Sequence, residues 1–215
     1  MKILIVAADA REFRGIQAHV RSGRLGDHEV LLSANGAGAT RAASAVDESL
    51  KFFPAEAIVS TGFCGALSPE LEIADVVVGT AVTAGSRTFP ALQLTSTRPH
   101  HIGVVCSIDR VAQTAAEKRR LSGSVVEMEA GGVAERAAAH GLPFYCVRVV
   151  TDLAGEDMAN DFNRALRPDG HFATIRVLLG AMRSPLVCVP ELLRLRSRCA
   201  RAARVLGDFI ADCRF

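Results

Sequence analysis

The stretch Val126–Asp152, VEMEAGGVAERAAAHGLPFYCVRVVTD, decides how this chain is read. It opens as a short apolar run, turns acidic at Glu127-Met128-Glu129 and continues as a small-residue helix. It closes on a buried strand, FYCVRVV, tipped by Thr151 and Asp152. Fold stability does not ask for two carboxylates, Glu129 and Asp152, at the mouths of neighbouring elements. The rest of the sequence is therefore searched for groups that face them.

Working outward, strand and helix patterns alternate. Lys2–Ala7 is an apolar run of the kind buried on both faces. Ala10–Val20 places Phe13, Ile16, Gln17 and Val20 at helical spacing, and His28–Ser33 is a second strand. A glycine turn, Asn35–Gly38, opens a helix carrying Ala39, Ala42, Ala43, Val46 and Leu50 on one side. Ala57–Thr61 reads as a strand broken at Gly62, and Asp75–Thr83 as a long strand. The segment 84–100, with two prolines, reads as a loop. Ile102–Ser107 is a strand, and 111–121 a helix. After Asp152 come a polar loop, a helix near 172–182 and a last helix from Pro190. The expected fold class is α/β: a largely parallel mixed sheet in one domain spanning 1–215, covered by helices on both faces. An Arg-rich helical segment at about 186–213 ends it.

Composition narrows the functional classes. A chain of 215 residues can bury roughly 70% of its unfolded surface. A net charge of +2 does not suit a general nucleic-acid binder. No run approaches the ~20 apolar residues of a membrane span, and the first apolar run is too short for a signal peptide. The six cysteines stand singly, without CxxC spacing, which fits buried thiols in a reducing cytoplasm better than disulfides or zinc.

In open α/β sheets, ligands bind beyond the carboxyl ends of strands. That rule collects Asp9–Glu12, Asn35–Gly38, Gly62–Gly65, Glu127–Glu129 and Thr151–Asp152 along one rim. Asn35–Gly38 is either a tight turn or an anion site at a helix N-terminus. It lacks the third glycine of a dinucleotide fingerprint, since Arg41 stands there. Glu12 and Glu129 are each also readable as helix-start carboxylates, and Asp152 as an N-cap. Their convergence on one rim gives them a common purpose.

VEMEA, the RVVTD strand end, TGFCGAL followed by DVVV, and the opening MKILIVAADAREF together resemble the superfamily of purine nucleoside phosphorylases and methylthioadenosine/S-adenosylhomocysteine nucleosidases. The resemblance covers roughly 1–160. RALRPDG and PELLRLRSRCARAARVL resemble the tail of its hopanoid-associated branch, the adenosylhopane nucleosidases. The resemblance implies cleavage of the N-glycosidic bond of a purine nucleoside. It makes Asp152 the acid that protonates N7, helped by a pKa raised through burial, and Glu12 the base that activates water. It gives Glu129 to the ribose hydroxyls and Met128 to the sugar face. Gly62 and Phe63 fall on the substrate-binding turn, and Val111, with Arg110, where the purine is lined. It implies no cofactor and no metal, and a homodimeric cytoplasmic enzyme; the Arg-rich C-terminal segment is by itself readable either as a solvated helix face or as a peripheral contact with an anionic inner-membrane surface.

Hydrolysis and phosphorolysis turn on an anion site. Superfamily phosphorylases hold phosphate with arginines and a Ser or Thr, but Ser60 and Phe63 stand at the corresponding positions here. Losing one charge-assisted contact costs about 1.5–3 kcal/mol, and Glu12 would repel a dianion, so hydrolysis is expected. Arg11, Arg14 and Arg41 leave phosphorolysis open, and a catalytically silent nucleoside binder is the remaining alternative. Arg148 is readable either as a site residue or as an ion-pair partner for Glu127. The whole reading requires Glu12 and Asp152 at the same end of the sheet, with neither held in a permanent ion pair.

Overall fold

A computed structural model describes residues 1–167, 169–171, 173, 182 and 184–215. The first half of the chain forms β1 (Lys2–Ala7), α1 (Arg14–His19), β2 (Arg24–Leu25), β3 (His28–Ala34) and α2 (Ala39–Leu50). Then come β4 (Ala57–Ala66), β5 (Val76–Ala84), β6 (Arg87–Pro90), β7 (His101–Ser107) and the short α3 (Ala115–Lys118). The stretch that anchored the reading supplies β8 (Val125–Glu127), α4 (Ala130–His140) and β9 (Phe144–Asp152). Helix α5 (Phe162–Ala165) and the long α6 (Pro185–Asp212) follow.

The strands make one mixed sheet. β3, β1, β4 and β9 run parallel in that order. β5, β7 and β8 are parallel to one another but run antiparallel to β9 and β4. Because β8 returns to β4, the strands β4, β9, β5, β7 and β8 close into a ring. Closure removes free edges from the part of the sheet that carries Asp152.

Period-two alternation divides the core. Ile3, Ile5 and Ala7 of β1 cluster with Ile16 of α1 and Leu206 and Phe209 of α6, whereas Leu4 and Val6 cluster with Val46 of α2 and Val133 of α4. β9 divides the same way, Tyr145, Val147 and Val149 to one side and Phe144, Cys146 and Val150 to the other. Strands apolar at every position are thus accounted for, since both faces are covered. Glycines let the covering helices meet backbone to backbone. A Cβ on Gly15 of α1 would lie 1.9 Å from the Ala203 carbonyl oxygen of α6, and one on Gly132 of α4 1.9 Å from that of Ala39 in α2.

Several expectations need correction. β4 is not broken at Gly62; it runs on to Ala66, with a register shift between Cys64 and Gly65. The glycines there mark close approaches by side chains rather than a turn. The expected loop at 84–100 contains β6, folded onto β5 through the two-residue connection Gly85-Ser86. The helix expected over 111–121 shrinks to α3, fixed by a capping box between Thr114 and Glu117. The first helix starts at Arg14, because the residues before it are folded into a turn that returns Glu12 to β1. The last helix starts at Pro185, where proline is favoured, and carries Pro190 within it. The helix expected near 172–182 lies outside the described residues, save Ala173 and Met182.

The α2–α4 contact yields a stability test. Gly132→Ala should cost about 1–3 kcal/mol through overpacking, read by urea unfolding. Gly155→Ala, with nothing within 4 Å of the added Cβ, should stay within about 0.5 kcal/mol of the parent. Equal costs at the two positions would refute the close crossing.

Candidate active site

The site is built on the second half of β4. After β1 the chain turns at Asp9, whose carbonyl accepts from the Glu12 N–H at 3.0 Å. The turn folds the Glu12 side chain back: its Oε2 accepts from the N–H groups of Ala8 (2.9 Å) and Asp9 (3.0 Å), and its Oε1 from that of Phe63 (2.7 Å). A Cβ on Gly62 would stand 2.6 Å from Glu12 Oε1, and Gly62 has φ +138°, so only glycine leaves room for this carboxylate. Gly62 and the Phe63 backbone thus form the seat of Glu12, while the Phe63 ring packs against the core below α1 and α6.

Three residues further along β4, about 10 Å at ~3.3 Å per residue, Gly65 does the same for Asp152. A Cβ there would lie 2.6 Å from Asp152 Oδ2. Glu12 and Asp152 follow the ends of parallel strands and so share one end of the sheet. Against the second requirement, Asp152 stands in an ion pair. Lys118, at the end of α3 and only 2% exposed, sets its Nζ 2.5 Å from Asp152 Oδ2 and 2.7 Å from the Leu153 carbonyl oxygen. A buried carboxylate needs a counter-charge, and this lysine supplies it. Asp152 Oδ1 accepts a longer bond from the Thr151 hydroxyl, 3.3 Å. Burial pushes the Asp152 carboxyl above its ordinary range, and Lys118 offsets part of that rise.

On the other side of β4, Glu127 holds the start of α4 by accepting from the N–H groups of Glu129 (2.9 Å) and Ala130 (2.8 Å). The same Oε2 takes the Arg148 guanidinium at 2.6 Å, and Arg148 also donates to the Ser60 hydroxyl at 2.7 Å. Arg148 is therefore the ion-pair partner of Glu127. Glu129 reaches across to the N-terminus of α2, where its Oε1 accepts from the Gly38 N–H at 2.8 Å. Of the two readings of Asn35–Gly38, a tight turn or an anion site, the second is filled from within the chain, by the Glu129 carboxyl group. Its other donors are also engaged, Gly36 by the Ala8 carbonyl and Ala37 by that of Gly170.

Glu129 sits among like charges. Burial, then Glu127, then Glu12 push its carboxyl up to about 8, with Arg148 pulling the other way. Glu12 is raised by burial against its three backbone donors and Arg148. Burial pushes the thiol of Cys199 on α6 up to about 12, and Glu12 and Asp152 add to that rise. Met128 is buried beside Glu129. Val111 is held by Asn163. Its N–H donates to Asn163 Oδ1 (2.9 Å) and its carbonyl accepts from Asn163 Nδ2 (3.0 Å). A cavity of about 140 Å³ adjoins Asp152, lined by Glu156, Phe162, Leu195 and Arg198 among others. That is below the ~300–1,000 Å³ of ordinary ligand pockets.

Lys118 is the site residue the sequence did not give away. In TAAEKRR it reads as one more solvated helix charge, and only the tertiary fold turns it inward.

Residues 6–93 and 90–170 match the model of a family described as the phosphorylase superfamily. The 5′-methylthioadenosine/S-adenosylhomocysteine nucleosidase of Mycobacterium bovis is 29% identical over 214 residues, covering 74% of this chain and 83% of its own. That of Chromohalobacter salexigens is 25% identical over 202 residues, covering 73% and 86%. Among solved structures, the Streptococcus pneumoniae nucleosidase with a transition-state inhibitor superposes with TM-score 0.71 at 17% identity, over 99% of this chain and 97% of that one. A Helicobacter pylori futalosine hydrolase mutant gives 0.70 at 14%, with the same coverages. At such identities these structures establish the fold.

The raised Glu129 carboxyl has a consequence for stability. Between its ordinary pKa near 4.5 and about 8, the folded chain keeps a proton that the unfolded chain has released. Stability therefore falls as pH rises through that window. Glu129→Gln keeps an acceptor for Gly38 and removes this slope. Its melting temperature should exceed the parent's by more at pH 9 than at pH 5. Parallel pH dependences of the two melting curves would rule the assignment out.

Proposed function

The chain belongs to the phosphorylase superfamily, and on that premise we propose that it is a nucleosidase that hydrolyses the N-glycosidic bond of a 5′-substituted adenosine. Cleavage of C1′–N9 leaves positive charge on the ribose and sends the bonding pair into the purine. The groups needed are an acid at N7, a carboxylate near the sugar hydroxyls and a base for water. Asp152, Glu129 and Glu12 take these roles, with Met128 against the sugar and the Val111 backbone toward the purine edge. The observation that carries the reading is the pair of carboxylates seated on one strand, Glu12 against Gly62 and Asp152 against Gly65.

Water as the acceptor is supported by what the anion-binding groups already hold. Glu129 occupies the Gly38 N–H, Glu127 occupies Arg148, and Asp9 holds Arg11 at 2.9 Å. A phosphate dianion would have to displace an acidic side chain from each of them. No cofactor enters the scheme. Gly62 and Phe63 serve it indirectly, by holding Glu12.

The 5′ substituent is read as apolar, a hopanoid-linked group being the candidate. Leu186, Val187, Val189 and Leu193 are exposed on α6 beside exposed Arg194 and Arg196. That pattern suits peripheral contact with an anionic lipid surface, and Arg194 and Leu195 of the same helix line the cavity at Asp152. No described helix is long and apolar enough to cross a membrane. A homodimer in the cytoplasm is the assembly this reading adopts, from the family resemblance.

The test is release of free adenine in phosphate-free buffer. The parent should release it from methylthioadenosine, and faster from an adenosyl-hopanoid. Asp152→Asn and Glu12→Gln should each lower kcat by about 10²–10⁴, the usual contribution of an acid or base. Strict dependence on phosphate would replace hydrolysis by phosphorolysis. Preference for the small nucleoside would remove the lipid substituent.

A further inference from the structure

The ion pair between Lys118 and Asp152 is the feature that the proposed reaction leaves unexplained. An acid at N7 must carry a proton, yet Asp152 Oδ2 faces an ammonium at 2.5 Å. A carboxylate held by arginine would be spent as an acid, because guanidinium does not give up its proton. Lysine differs. It is a point donor whose proton can cross to the carboxylate, and a dry site favours the neutral pair that results, because burial penalises both charges together.

We propose that Lys118 is a positioning residue that supplies, through Asp152, the proton delivered to the purine. The inference rests on the nucleosidase reading above. Lys118 Nζ gives its proton to Asp152 and becomes a neutral amine. As the C1′–N9 bond breaks and its electron pair enters the purine, N7 takes that proton from the Asp152 carboxyl, which returns to a carboxylate. Water adds to C1′ and gives a proton to Glu12. Solvent then reprotonates the amine and deprotonates Glu12, so that the net change is one water consumed.

Three observations support this assignment. Lys118 ends a helix whose start is pinned by the Thr114–Glu117 capping box, so the lysine is placed by structure and not by chance. It is buried to 2%, an expensive position for a surface-type residue unless the charge is used or paired. Its second bond, to the Leu153 carbonyl oxygen at 2.7 Å, aims Nζ at the end of β9 and would remain after the proton has left. Other titratable groups bear on the pair. Glu156, after β9, acts on both members but is held by Arg198 of α6 at 2.7 and 2.9 Å. Cys199 of α6 and Cys64 of β4 feel Asp152 through space, as does Arg198.

The experiment compares pH–rate profiles for adenine release from methylthioadenosine by the parent, Lys118→Met, Lys118→Arg and Asp152→Asn. In the parent the proton is held by the pair as a unit, so the rate should persist to alkaline pH. Lys118→Met should lower kcat at least tenfold at pH 8–9 with KM little changed, and its alkaline limb should move to lower pH. Lys118→Arg, which keeps the charge but cannot release a proton, should not restore the profile. Full recovery with arginine, or an upward shift of the limb in Lys118→Met, would reduce Lys118 to an electrostatic clamp and overturn the proposal. Asp152→Asn inactive with Lys118→Met unchanged in rate and profile would overturn it while leaving the nucleosidase reading intact. A parent that releases no base from any purine nucleoside would end both. If Lys118→Met fails to fold, Lys118→Ala with added ethylamine replaces it. Recovery should then follow the concentration of amine, whereas no recovery with a folded protein counts against a proton source.

Discussion

The buried ion pair between Arg148 and Glu127 is the constraint on which the site depends. One carboxylate oxygen takes the guanidinium from β9 and two backbone N–H groups at the start of α4, while the same guanidinium reaches Ser60 on β4. Three elements distant in sequence are thereby held in one register. Both side chains are about 1% exposed, so removing either partner strands an uncompensated charge at a cost of about 3–5 kcal/mol. The pair is not fully satisfied, since Arg148 Nε and Glu127 Oε1 have no hydrogen-bond partner among the described residues. Hydrophobic residues of similar volume would hold the fold at least as well. What they would not do is fix where Glu129 begins α4 and how it points.

From that pair the acidity of the region follows. Glu12, Glu127 and Glu129 crowd around a single arginine, and each is buried. Dry surroundings make their mutual repulsion expensive, and the chain relieves it with backbone donors: three for Glu12, two for Glu127, and those of Gly38 and Met128 for Glu129. Such a cluster suits a developing cation better than an anion. The glycines of β4 make it possible, because a side chain at Gly62 or Gly65 would occupy the carboxylates' places.

Much of this was legible from the residues. The unbroken apolar runs of β1 and β9 and the alternating helices gave the α/β class, and the acidic turn at Glu127–Glu129 marked the rim. The errors have a shared origin. Gly62 and Gly65 look like turn formers in one dimension but are contact points in three, so β4 was cut short. Gly85-Ser86 carried a hairpin signal that the nearby prolines masked. The role of Asn35–Gly38 could not be fixed, because its ligand, Glu129, lies 91 residues away. Lys118 left no trace at all, since a lysine after a glutamate on a helix reads as solvated, and its burial is decided by β9.

Asn163 has a last consequence. Its carboxamide presents to Val111 a donor and an acceptor side by side, the same complement that the amino edge of an adenine carries. The backbone at Val111 is therefore never left wanting. On the proposed nucleosidase reading, a base docking there would have to evict an amide of equal bonding capacity, so that those two contacts would trade rather than accumulate, and the tightness of holding would have to originate in the sugar and whatever hangs from it.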